Sequence, residues 1–375
     1  MCDRTILRLH ILKIYNNSSS IMVTSSKIMA ERLLVTALKG GRKTKILTLN
    51  GKRITKMPST LEKLPNLKTL DLQNNSISKV CPELRTLTQL TLLNLGNNHL
   101  QEVPEEIKYL TSLKNLHLFG NRICRIAPGV LNGLHRLIML NLNDNRLMSL
   151  PQEIGRLRSL TYLSLNRNNL TVIPKELCSL EHLSELHLNY NQIVYIPEEI
   201  KFLKNLQQLF LVRNNIEELP EEICHLEKLR VLDIAGNVIQ IFPTGFQNLR
   251  LREFYCEGNP LFLKRPFLAV QPKDLWTLRE IAARFVLSLL EENDPLITNA
   301  IESYPEVKDK LSKAKKCSIC RKPFLSEWLE CVYFVAPSKN WKISRNLNLI
   351  PVQTSVCSYQ CFDQRDPDVF GIAQE

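Results

Sequence analysis

The fold of this chain can be predicted from one stretch of its sequence, Leu160-Thr-Tyr-Leu163-Ser-Leu165-Asn-Arg-Asn168-Asn-Leu170. The alternation of leucine and serine within it indicates a short strand with one buried face. After that strand the chain must turn, and a turn within a stack leaves backbone N–H and C=O groups that need partners. The side-chain amide of Asn168 carries both a donor and an acceptor. We therefore expect it to be buried and to bond the turn, here and in the neighbouring coils.

The same pattern, L-x-x-L-x-L-x-x-N-x-(L/I), recurs with steps of 22 to 24 residues between its asparagines. These asparagines are Asn75, Asn98, Asn121, Asn145, Asn168, Asn191, Asn214, Asn237 and Asn259. The period is that of a leucine-rich repeat. One unit cannot bury its leucines alone, so stability comes from stacking units around a continuous core. We predict an α/β solenoid, a leucine-rich repeat horseshoe of about ten 23-residue units with short parallel strands on its concave face.

The second half of each unit reads L-P-x-E-I, as in Leu150-Pro151-Gln-Glu-Ile154. Proline fixes an extended entry, and the spacing after it predicts a short helical or irregular turn on the convex face. The terminal units depart from the pattern. Lys52 takes the asparagine position in the first unit, and Phe254 and Cys256 take leucine positions in the last. Atypical terminal units are expected of caps.

The predicted organisation has five segments. They are a disordered N-terminal extension at 1–28, an N-terminal flank at 29–43, the repeat array at 44–261, a helical C-terminal cap at 262–310, and a cysteine-rich module, a candidate for zinc binding, at 311–375. The extension carries several basic residues against a single acid, Asp3, which would suit a mitochondrial presequence. Its run of asparagine and serine and the following Met29 favour an upstream extension of the coding frame instead.

Composition favours a protein of the cytosol or the nucleus. Hydrophobic residues make up 44% of the chain, without an apolar run near the roughly 20 residues that a membrane span needs. The 11 cysteines, an odd number, do not suggest an oxidised framework. The net charge of +12 would suit nucleic acid, but the basic residues cluster at 39–45, 52–53 and 313–316 rather than along an aromatic groove. We expect a monomer that binds neither nucleic acid nor membrane.

The concave face is where a solenoid binds its partner, because the strand residues between the leucines are displayed there in rows. In the central units these rows combine aromatic side chains with histidine, asparagine and arginine, and aromatic residues and arginine are common in interface hot spots. We predict a binding patch for a protein partner. Its residues are His117, Phe119, Asn141, Tyr162, Ser164, Arg167, Glu185, His187, Tyr190, Phe210 and Arg213.

After the array, apolar residues at helical spacing predict a helix over 272–290, with Asp274 at its N-terminus. One role for this helix is to cover the open end of the solenoid. The segment T-L-R-E-I-A-A-R-F-V within it also matches the outline of an elongin-binding box, (S/T)-L-x-x-x-C-x-x-x-aliphatic. Leu278, Ala282 and Val286 take its three defining positions. Alanine stands where the box has cysteine, and a clear cullin-selecting motif does not follow.

The C-terminal segment concentrates five cysteines. A C-x-x-C pair, Cys317 and Cys320, precedes a C-x-x-x-C pair, Cys357 and Cys361. Four thiolates satisfy tetrahedral zinc, and a small core gains from a metal staple. The pattern therefore predicts one structural zinc ion at these four residues, with Cys331 as a spare or alternative ligand. Redox chemistry at the C-x-x-C pair is the alternative, although the strand-helix setting of a thioredoxin-like motif is missing.

From about Met29 to its end, the chain resembles the intracellular leucine-rich-repeat-containing proteins. The stretches that carry this resemblance are KFLKN at 201–205, DIAGN at 233–237, REFYCEGNPL at 252–261 and RDPDVFGI at 365–372. The tail, with its paired cysteines, is similar to that of relatives that act as substrate receptors of cullin-type ubiquitin ligases. The resemblance implies an adaptor. Its helix at Leu278 to Val286 would meet elongin and a cullin, and its concave face would meet the substrate.

Two classes of function compete. The first is a non-enzymatic scaffold, either such an adaptor or, by similarity to the repeats of Ras-pathway scaffolds, a signalling platform. The second is an enzyme with an unrecognised site. Against an enzyme, the sequence lacks a G-x-x-x-x-G-K-(S/T) loop, a G-x-S-x-G elbow and an H-E-x-x-H helix. His117 and His187 lie three units apart, at roughly 5 Å per strand, which is too far to share a small substrate. We predict the scaffold.

Overall fold

The computed structural model describes residues 28–262, 277–325, 329–338, 341–343, 347–365 and 369–371. The predicted N-terminal extension falls almost entirely on 1–27 and so lies outside the described residues. The chain forms two compact units. The first comprises Met1–Asn237 and Leu249–Gly258, and the second comprises Val238–Asn248 and Asn259–Glu375. In the first unit, helix α1 covers residues 28–40 and precedes the repeats.

Short parallel strands, paired in chain order from β1 to β10, form one sheet in the repeat unit. They are β1 Ile46–Thr48, β2 Thr69–Asp71, β3 Leu92–Asn94, β4 Asn115–His117, β5 Met139–Asn141, β6 Tyr162–Ser164, β7 Glu185–His187, β8 Gln208–Phe210, β9 Val231–Asp233 and β10 Glu253–Tyr255. The middle residue of each strand points into the core. Leu163 and Leu186, which face each other across β6 and β7, are both 0% exposed. The predicted solenoid of ten units with parallel strands is confirmed.

Short 3-10 helices form the outer side of most units. They are Ser59–Lys63, Pro82–Thr86, Glu105–Tyr109, Gln152–Arg156, Lys175–Ser179, Glu198–Phe202, Glu221–His225 and Phe246–Asn248, and a further 3-10 helix, Gly41–Lys43, precedes the first strand. The proline before such a helix is extended, as at Pro151 (ψ 154°) and Pro197 (ψ 148°). A buried isoleucine follows in the same turn, Ile154 in one case and Ile200 in the other. The predicted helical turn after each proline is therefore present.

The repeated asparagines bond the turns as predicted. Asn168 is 7% exposed, and its Nδ2 donates to the carbonyl oxygens of Leu142 and Leu165, each at 3.0 Å. Its Oδ1 accepts the N–H of Leu147 at 3.0 Å. Leu165 belongs to the same unit, whereas Leu142 and Leu147 belong to the preceding one. Each such asparagine therefore ties its own turn to the unit before it.

The second unit combines short helices with antiparallel strands. Its elements are α2 Leu278–Glu291, α3 Pro295–Glu302, α4 Pro305–Ser312, β11 Lys315–Lys316, β12 Pro323–Phe324, β13 Leu329–Val335, β14 Lys342–Ile343, β15 Ile350–Val356, α5 Tyr359–Asp363 and β16 Val369–Gly371. Strand β13 pairs with β15 and β16, and β11 pairs with β12. Thr277 caps α2, because its Oγ1 accepts the N–H of Glu280 at 3.2 Å. The predicted start at Asp274 lies outside the described residues.

Part of the last repeats belongs to this second unit. The N–H of Phe242 donates to the carbonyl of Pro351 at 2.9 Å, and the carbonyl of Phe242 accepts the N–H of Gln353 at 2.7 Å. The ring of Phe246 meets that of Trp341 edge-on, with centroids 5.8 Å apart. Residues 238–248, assigned to the array from the sequence, therefore pack with the C-terminal strands.

Among the described helices, none has the length and apolar character to cross a membrane.

Candidate functional site

Three rings meet on the concave face at strands β6, β7 and β8. The strands pair in register, so Ser164, His187 and Phe210 occupy equivalent positions. The ring centroid of His187 lies 5.0 Å from that of Tyr162 and 4.5 Å from that of Phe210, to which it is nearly parallel at 15°. Tyr162, His187 and Phe210, all predicted to bind the partner, therefore form one continuous ring stack.

His187 takes part in this ring stack as a neutral imidazole. Burial lowers the pKa of its imidazole, and the carboxylate of Glu185, also a predicted site residue, opposes that shift. The distance from His187 Nε2 to Glu185 Oε2 is 3.5 Å, within ion-pair range, yet Nε2 is buried and makes no hydrogen bond to a described residue. The poor hydrogen-bond geometry makes this a weak pair. The imidazole therefore acts as part of an aromatic surface.

A second group lies one position before the buried asparagines of three consecutive units. Tyr190 is 43% exposed, and the guanidinium carbons of Arg167 and Arg213 lie 5.3 and 5.4 Å from its ring centroid. Both distances are within cation–π range. Arg167 Nε also lies 3.8 Å from Asp144 Oδ1 in an exposed ion pair. The predicted residues Arg167, Tyr190 and Arg213 thus form what we call the arginine–tyrosine column.

Two of the predicted polar residues are used by hydrogen bonds within the array. Ser164 is 0% exposed, and its hydroxyl donates to Asn143 Oδ1 at 2.7 Å. Asn141 Oδ1 accepts the N–H of Asn143 at 3.0 Å. Ser164 is therefore not available to a partner, contrary to its assignment from the sequence, because the neighbouring unit engages its hydroxyl.

A second asparagine ladder runs beside these residues. The Oδ1 atoms of Asn143, Asn166 and Asn189 accept the N–H groups of Asn166, Asn189 and Val212, each at 2.7 Å. Each bond joins one unit to the next. Sequence analysis does not identify this ladder. The signal for it is asparagine at the same position in three consecutive units, which differs from the leucine pattern.

His117 and Phe119 form a separate pair in the unit of β4. Their centroids are 6.5 Å apart and the rings are nearly perpendicular, at 86°. The ring of Phe119 covers Gly96, where an added Cβ would lie 2.5 Å from it. Burial lowers the pKa of His117, and the charge of Asp71 opposes that shift. This pair extends the apolar part of the concave face toward the N-terminal units.

The predicted docking residues on α2 do not share one face. Leu278 is 85% exposed and Ala282 is exposed, whereas Val286 is half-buried and packs against the small core between α2 and α4. Two residues outside the predicted set complete the exposed face, Ile281 at 48% and Phe285 at 65% exposure. We call the group formed by Leu278, Ile281, Ala282 and Phe285 the outer face of α2.

Four cysteines meet in the C-terminal unit. The Sγ atoms of Cys317, Cys320, Cys357 and Cys361 all lie within 4.8 Å of one another. Cys357 Sγ is 3.6 Å from both Cys320 Sγ and Cys361 Sγ. All four are free thiols, and only Cys320 is exposed. Cys331 is buried in the same core but lies outside the group. This cysteine cluster could hold a metal ion.

The thiols of the cluster differ in their ionisation. Burial opposes ionisation of Cys317, but the N–H groups of Cys320, Cys357 and Ile319 outweigh it and lower the pKa of Cys317 to about 7. Burial, together with hydrogen bonds to Cys320 and Cys361, raises the pKa of Cys357 to about 12. Backbone N–H groups thus favour the thiolate form of Cys317, whereas burial and the neighbouring sulfurs disfavour it at Cys357.

Comparison with known proteins agrees with the repeats. The family model described as "Leucine-rich repeat region" matches residues 175–285, and the model "Leucine rich repeat" matches 42–100, 65–123 and 111–170. Leucine-rich repeat-containing protein 69 of Mus musculus is 97% identical over 347 residues, which are 92% of this chain and 100% of that protein. The Homo sapiens protein of the same name is 70% identical over 346 residues, 92% of this chain and 100% of its own. The chain belongs to the leucine-rich repeat-containing protein 69 family.

Solved structures with similar folds include that of a receptor. The crystal structure of a TDR receptor superposes with a TM-score of 0.52 at 26% identity, covering 57% of this chain and 39% of that chain. Leucine-rich repeat proteins are typically non-enzymatic interaction modules. The repeats of the leucine-rich repeat-containing protein 69 family are consistent with a protein-interaction scaffold.

Proposed function

We propose that this chain is a non-enzymatic scaffold whose concave face binds an acidic, partly apolar segment of a protein partner. One observation carries the proposal. In consecutive central units, the ring stack of Tyr162, His187 and Phe210 and the arginine–tyrosine column are both assembled from side chains that already contact one another. Such preformed groups bind with little further loss of side-chain entropy.

The ring stack supports the apolar part of the proposal. Aromatic residues near the centre of an interface supply a large share of binding energy, because they bury much area with few rotatable bonds. Because burial lowers the pKa of His187, this ring adds no charge to the surface at neutral pH. An aliphatic or aromatic side chain of the partner fits such a surface.

Backbone conformation supports a functional role for the arginine–tyrosine column. Arg167, Tyr190 and Arg213 have φ values of 55°, 57° and 54°, in the left-handed region. Every equivalent position in the other units carries a residue type that tolerates this region: Gly51, Asn74, Asn97, Gly120, Asp144, Gly236 and Gly258. A left-handed conformation costs a bulky residue about 1–2 kcal/mol. Three large side chains held there in succession suggest that their contacts with a partner offset that cost.

The charge of the column supports an acidic partner. Among the described residues, Arg213 has no ion pair, and Arg167 has only the exposed contact with Asp144 at 3.8 Å. Both guanidinium groups therefore keep N–H donors for a ligand. A carboxylate can accept two parallel hydrogen bonds from arginine, and these are stronger than bonds between neutral groups.

The test compares two triple variants with the same composition. Tyr162→Ala/Tyr190→Ala/Phe210→Ala removes the central rings of the concave face. The control, Tyr109→Ala/Tyr195→Ala/Phe202→Ala, removes two tyrosines and one phenylalanine that are 47%, 53% and 53% exposed and outside the site. Each full-length chain is used for affinity capture from cell extract, and the captured proteins are quantified by mass spectrometry.

We expect a set of proteins retained by wild type and control and lost at least tenfold from the concave variant. When the captured proteins are crosslinked to the chain, the peptides joined to it should be rich in aspartate and glutamate. The variant Arg167→Gln/Arg213→Gln should no longer capture these proteins. Equal capture by the two triple variants would refute a concave-face site. Hydrolytic activity of the purified chain that disappears in His117→Ala or His187→Ala would overturn the non-enzymatic part of the proposal.

A second candidate function is that of a substrate-receptor adaptor for a cullin-type ubiquitin ligase. The observation that favours it is the outer face of α2, on which Leu278 is 85% and Phe285 is 65% exposed. Four apolar residues at positions i, i+3, i+4 and i+7 form the type of stripe that an amphipathic helix lays into a groove. Elongin would be the occupant.

Purified elongin provides a direct test. We expect it to bind the wild-type chain and to bind Leu278→Asp/Phe285→Asp at least tenfold more weakly. Val307→Asp on α4, where Val307 is 45% exposed, serves as the control and should bind like wild type. Absence of elongin binding to the wild type would eliminate the adaptor and leave the concave-face scaffold unaffected.

A further inference from the structure

We infer that the cysteine cluster is a tetrahedral zinc site with a structural role. Zinc bound by four cysteines has Zn–S distances of about 2.3 Å, which places the sulfurs about 3.8 Å apart. Two pairs of Sγ atoms in the cluster are 3.6 Å apart, and all four lie within 4.8 Å of one another. Four thiolates close the coordination sphere and leave no position for a substrate, which is typical of structural zinc.

A tight hairpin turn presents the first ligand pair. Cys317 and Cys320 lie between β11 and β12, whose register pairs Lys316 with Pro323. The N–H of Cys317 donates to the carbonyl of Lys322 at 3.0 Å, and the N–H of Arg321 donates to the carbonyl of Cys317 at 3.0 Å. The two sulfurs therefore point the same way from a turn whose backbone bonds are already made.

A strand end and a short helix present the second pair. Cys357 follows the last residue of β15, and Cys361 lies in α5. Ser358 caps this helix, because its Oγ accepts the N–H of Cys361 at 3.2 Å. The first pair is joined to the second by Ser318, whose N–H donates to the carbonyl of Ser355 at 3.1 Å. Both pairs are therefore fixed by hydrogen bonds that involve no thiol.

The cluster also contacts the helix that carries the outer face. Arg284 Nη2 donates to the carbonyl of Cys357 at 2.7 Å, and Arg284 Nε donates to Glu280 Oε1 at 2.7 Å. Glu280, only 3% exposed, also accepts the N–H of Leu325 at 3.2 Å. Zinc at Cys357 would thus hold the carbonyl to which α2 is bound. Metal loss should release α2 as well as the hairpin.

The chemistry of the donors selects the metal class. Four soft thiolates favour zinc over magnesium or calcium, which prefer oxygen ligands. A disulfide would join two of the sulfurs and leave the other two without a role. Convergence of all four on one point is explained by a single cation and not by a dithiol couple.

Metal content of the full-length chain, purified without a metal-affinity tag, provides the test. We expect about one zinc per wild-type chain, and cobalt substitution should give the visible absorption of tetrahedral thiolate coordination. Cys320→Ser, which changes the exposed ligand, should weaken zinc binding at least 100-fold. Cys331→Ser is the matched control, since Cys331 is buried in the same core but is not a ligand. Cys320→His, which restores a zinc ligand, should bind metal with an altered cobalt spectrum.

Several outcomes would overturn the site. A wild-type chain that is isolated without zinc and takes up no cobalt would do so, as would intact-mass data showing a disulfide among the four cysteines. Equal metal loss in Cys331→Ser and Cys320→Ser would show that metal depends on the core rather than on ligation. For the link to α2, amide hydrogen exchange over 278–291 should accelerate at least tenfold after chelation, while exchange in the central repeats stays unchanged.

Discussion

The two asparagine ladders lead to a graded prediction about stability. Asn168→Ala should destabilise the array severalfold more than Asn166→Ala, although both residues are asparagines of the same unit that bond neighbouring turns. The difference arises because Asn168 is 7% exposed, whereas Asn166 is only half-buried on the concave face. Water can replace the side-chain amide of Asn166 but not that of Asn168.

The magnitude follows from the partners that each truncation leaves behind. Oδ1 of Asn168 accepts the buried N–H of Leu147 at 3.0 Å, and an unpaired buried donor costs about 1–3 kcal/mol. The carbonyls of Leu142 and Leu165 each lose one donor but keep another, from the asparagines of the adjacent units at 3.0 Å. Each lost bond costs about 1 kcal/mol. The total for Asn168→Ala is about 3–5 kcal/mol.

Asn166→Ala removes fewer hydrogen bonds, and it removes them where the side chain is more exposed to solvent. Its Oδ1 accepts the N–H of Asn189 at 2.7 Å, and its Nδ2 makes a longer bond of 3.3 Å to Ser164 Oγ. Both bonds are only partly buried, so water can pair the groups that remain. We expect a cost of about 1 kcal/mol.

Urea unfolding followed by circular dichroism measures both variants against wild type. A solenoid can unfold unit by unit. Amide hydrogen exchange of β5 to β7 should therefore be measured alongside the unfolding curves, to show which unit opens. Fast exchange should appear around the altered unit first. A cost for Asn168→Ala within about 1 kcal/mol of that for Asn166→Ala would refute the reasoning, since it would mean that the buried amide is replaceable.

Three further predictions concern the candidate sites. Tyr190→Asn places at this position a residue type that tolerates the left-handed region. We expect it to leave the free energy of unfolding within about 1 kcal/mol of wild type while weakening partner capture. A large loss of stability would contradict a partner-binding role for Tyr190. The stability contribution of a neutral buried His187 is complete above the ordinary histidine pKa of 6.5 and is lost as pH falls below it, because burial lowers the folded-state pKa. His187→Phe should therefore flatten the acid side of the stability profile, and parallel profiles would contradict this. Val286→Ala should cost about 1 kcal/mol in thermal unfolding and Leu278→Ala less than about 0.5, because only the first residue packs in the core. The reverse order would mean that these two faces of α2 are misassigned.

The repeat fold is predictable because its rules are local and recur. The same strand, turn and proline pattern recurs in successive units, so a wrong assignment in one unit is corrected by comparison with the others. The burial of Asn168 follows from the same logic, since a turn inside a stack needs an amide there. Positions on the concave face are likewise predictable, as Tyr162, His187 and Phe210 show.

Contacts between rows are less predictable, because they depend on side-chain conformation. The sequence places Ser164 in the same row as His187, yet the hydroxyl turns to Asn143 and is buried. Tyr190 is a predicted site residue, but its position between two guanidinium groups requires the register of three units. A row therefore predicts which residues are near the surface and not which bonds they make.

On α2, helix geometry separates the motif from the exposed face. At about 100° per residue, a residue eight positions after Leu278 lies about 80° around the helix, whereas one seven positions after it lies within about 20°. Val286 accordingly turns toward the core and Phe285 stays on the outer face. Matching a motif at spacings of four therefore selects a residue that the helix buries.

Electrostatics restrict where an acidic partner segment would lie on the concave face. At its C-terminal end, β9 and β10 carry Asp233, Glu253 and the nearby Glu257, and burial and the charge of Glu257 together raise the pKa of Asp233. A carboxylate brought there would meet like charge at a site that already disfavours ionisation. In earlier units, Arg213 after β8 and Arg167 after β6 offer the opposite charge. Attraction and repulsion along one surface would therefore fix the segment on the central units, and charge reversal at Asp233 should extend its footprint toward β10.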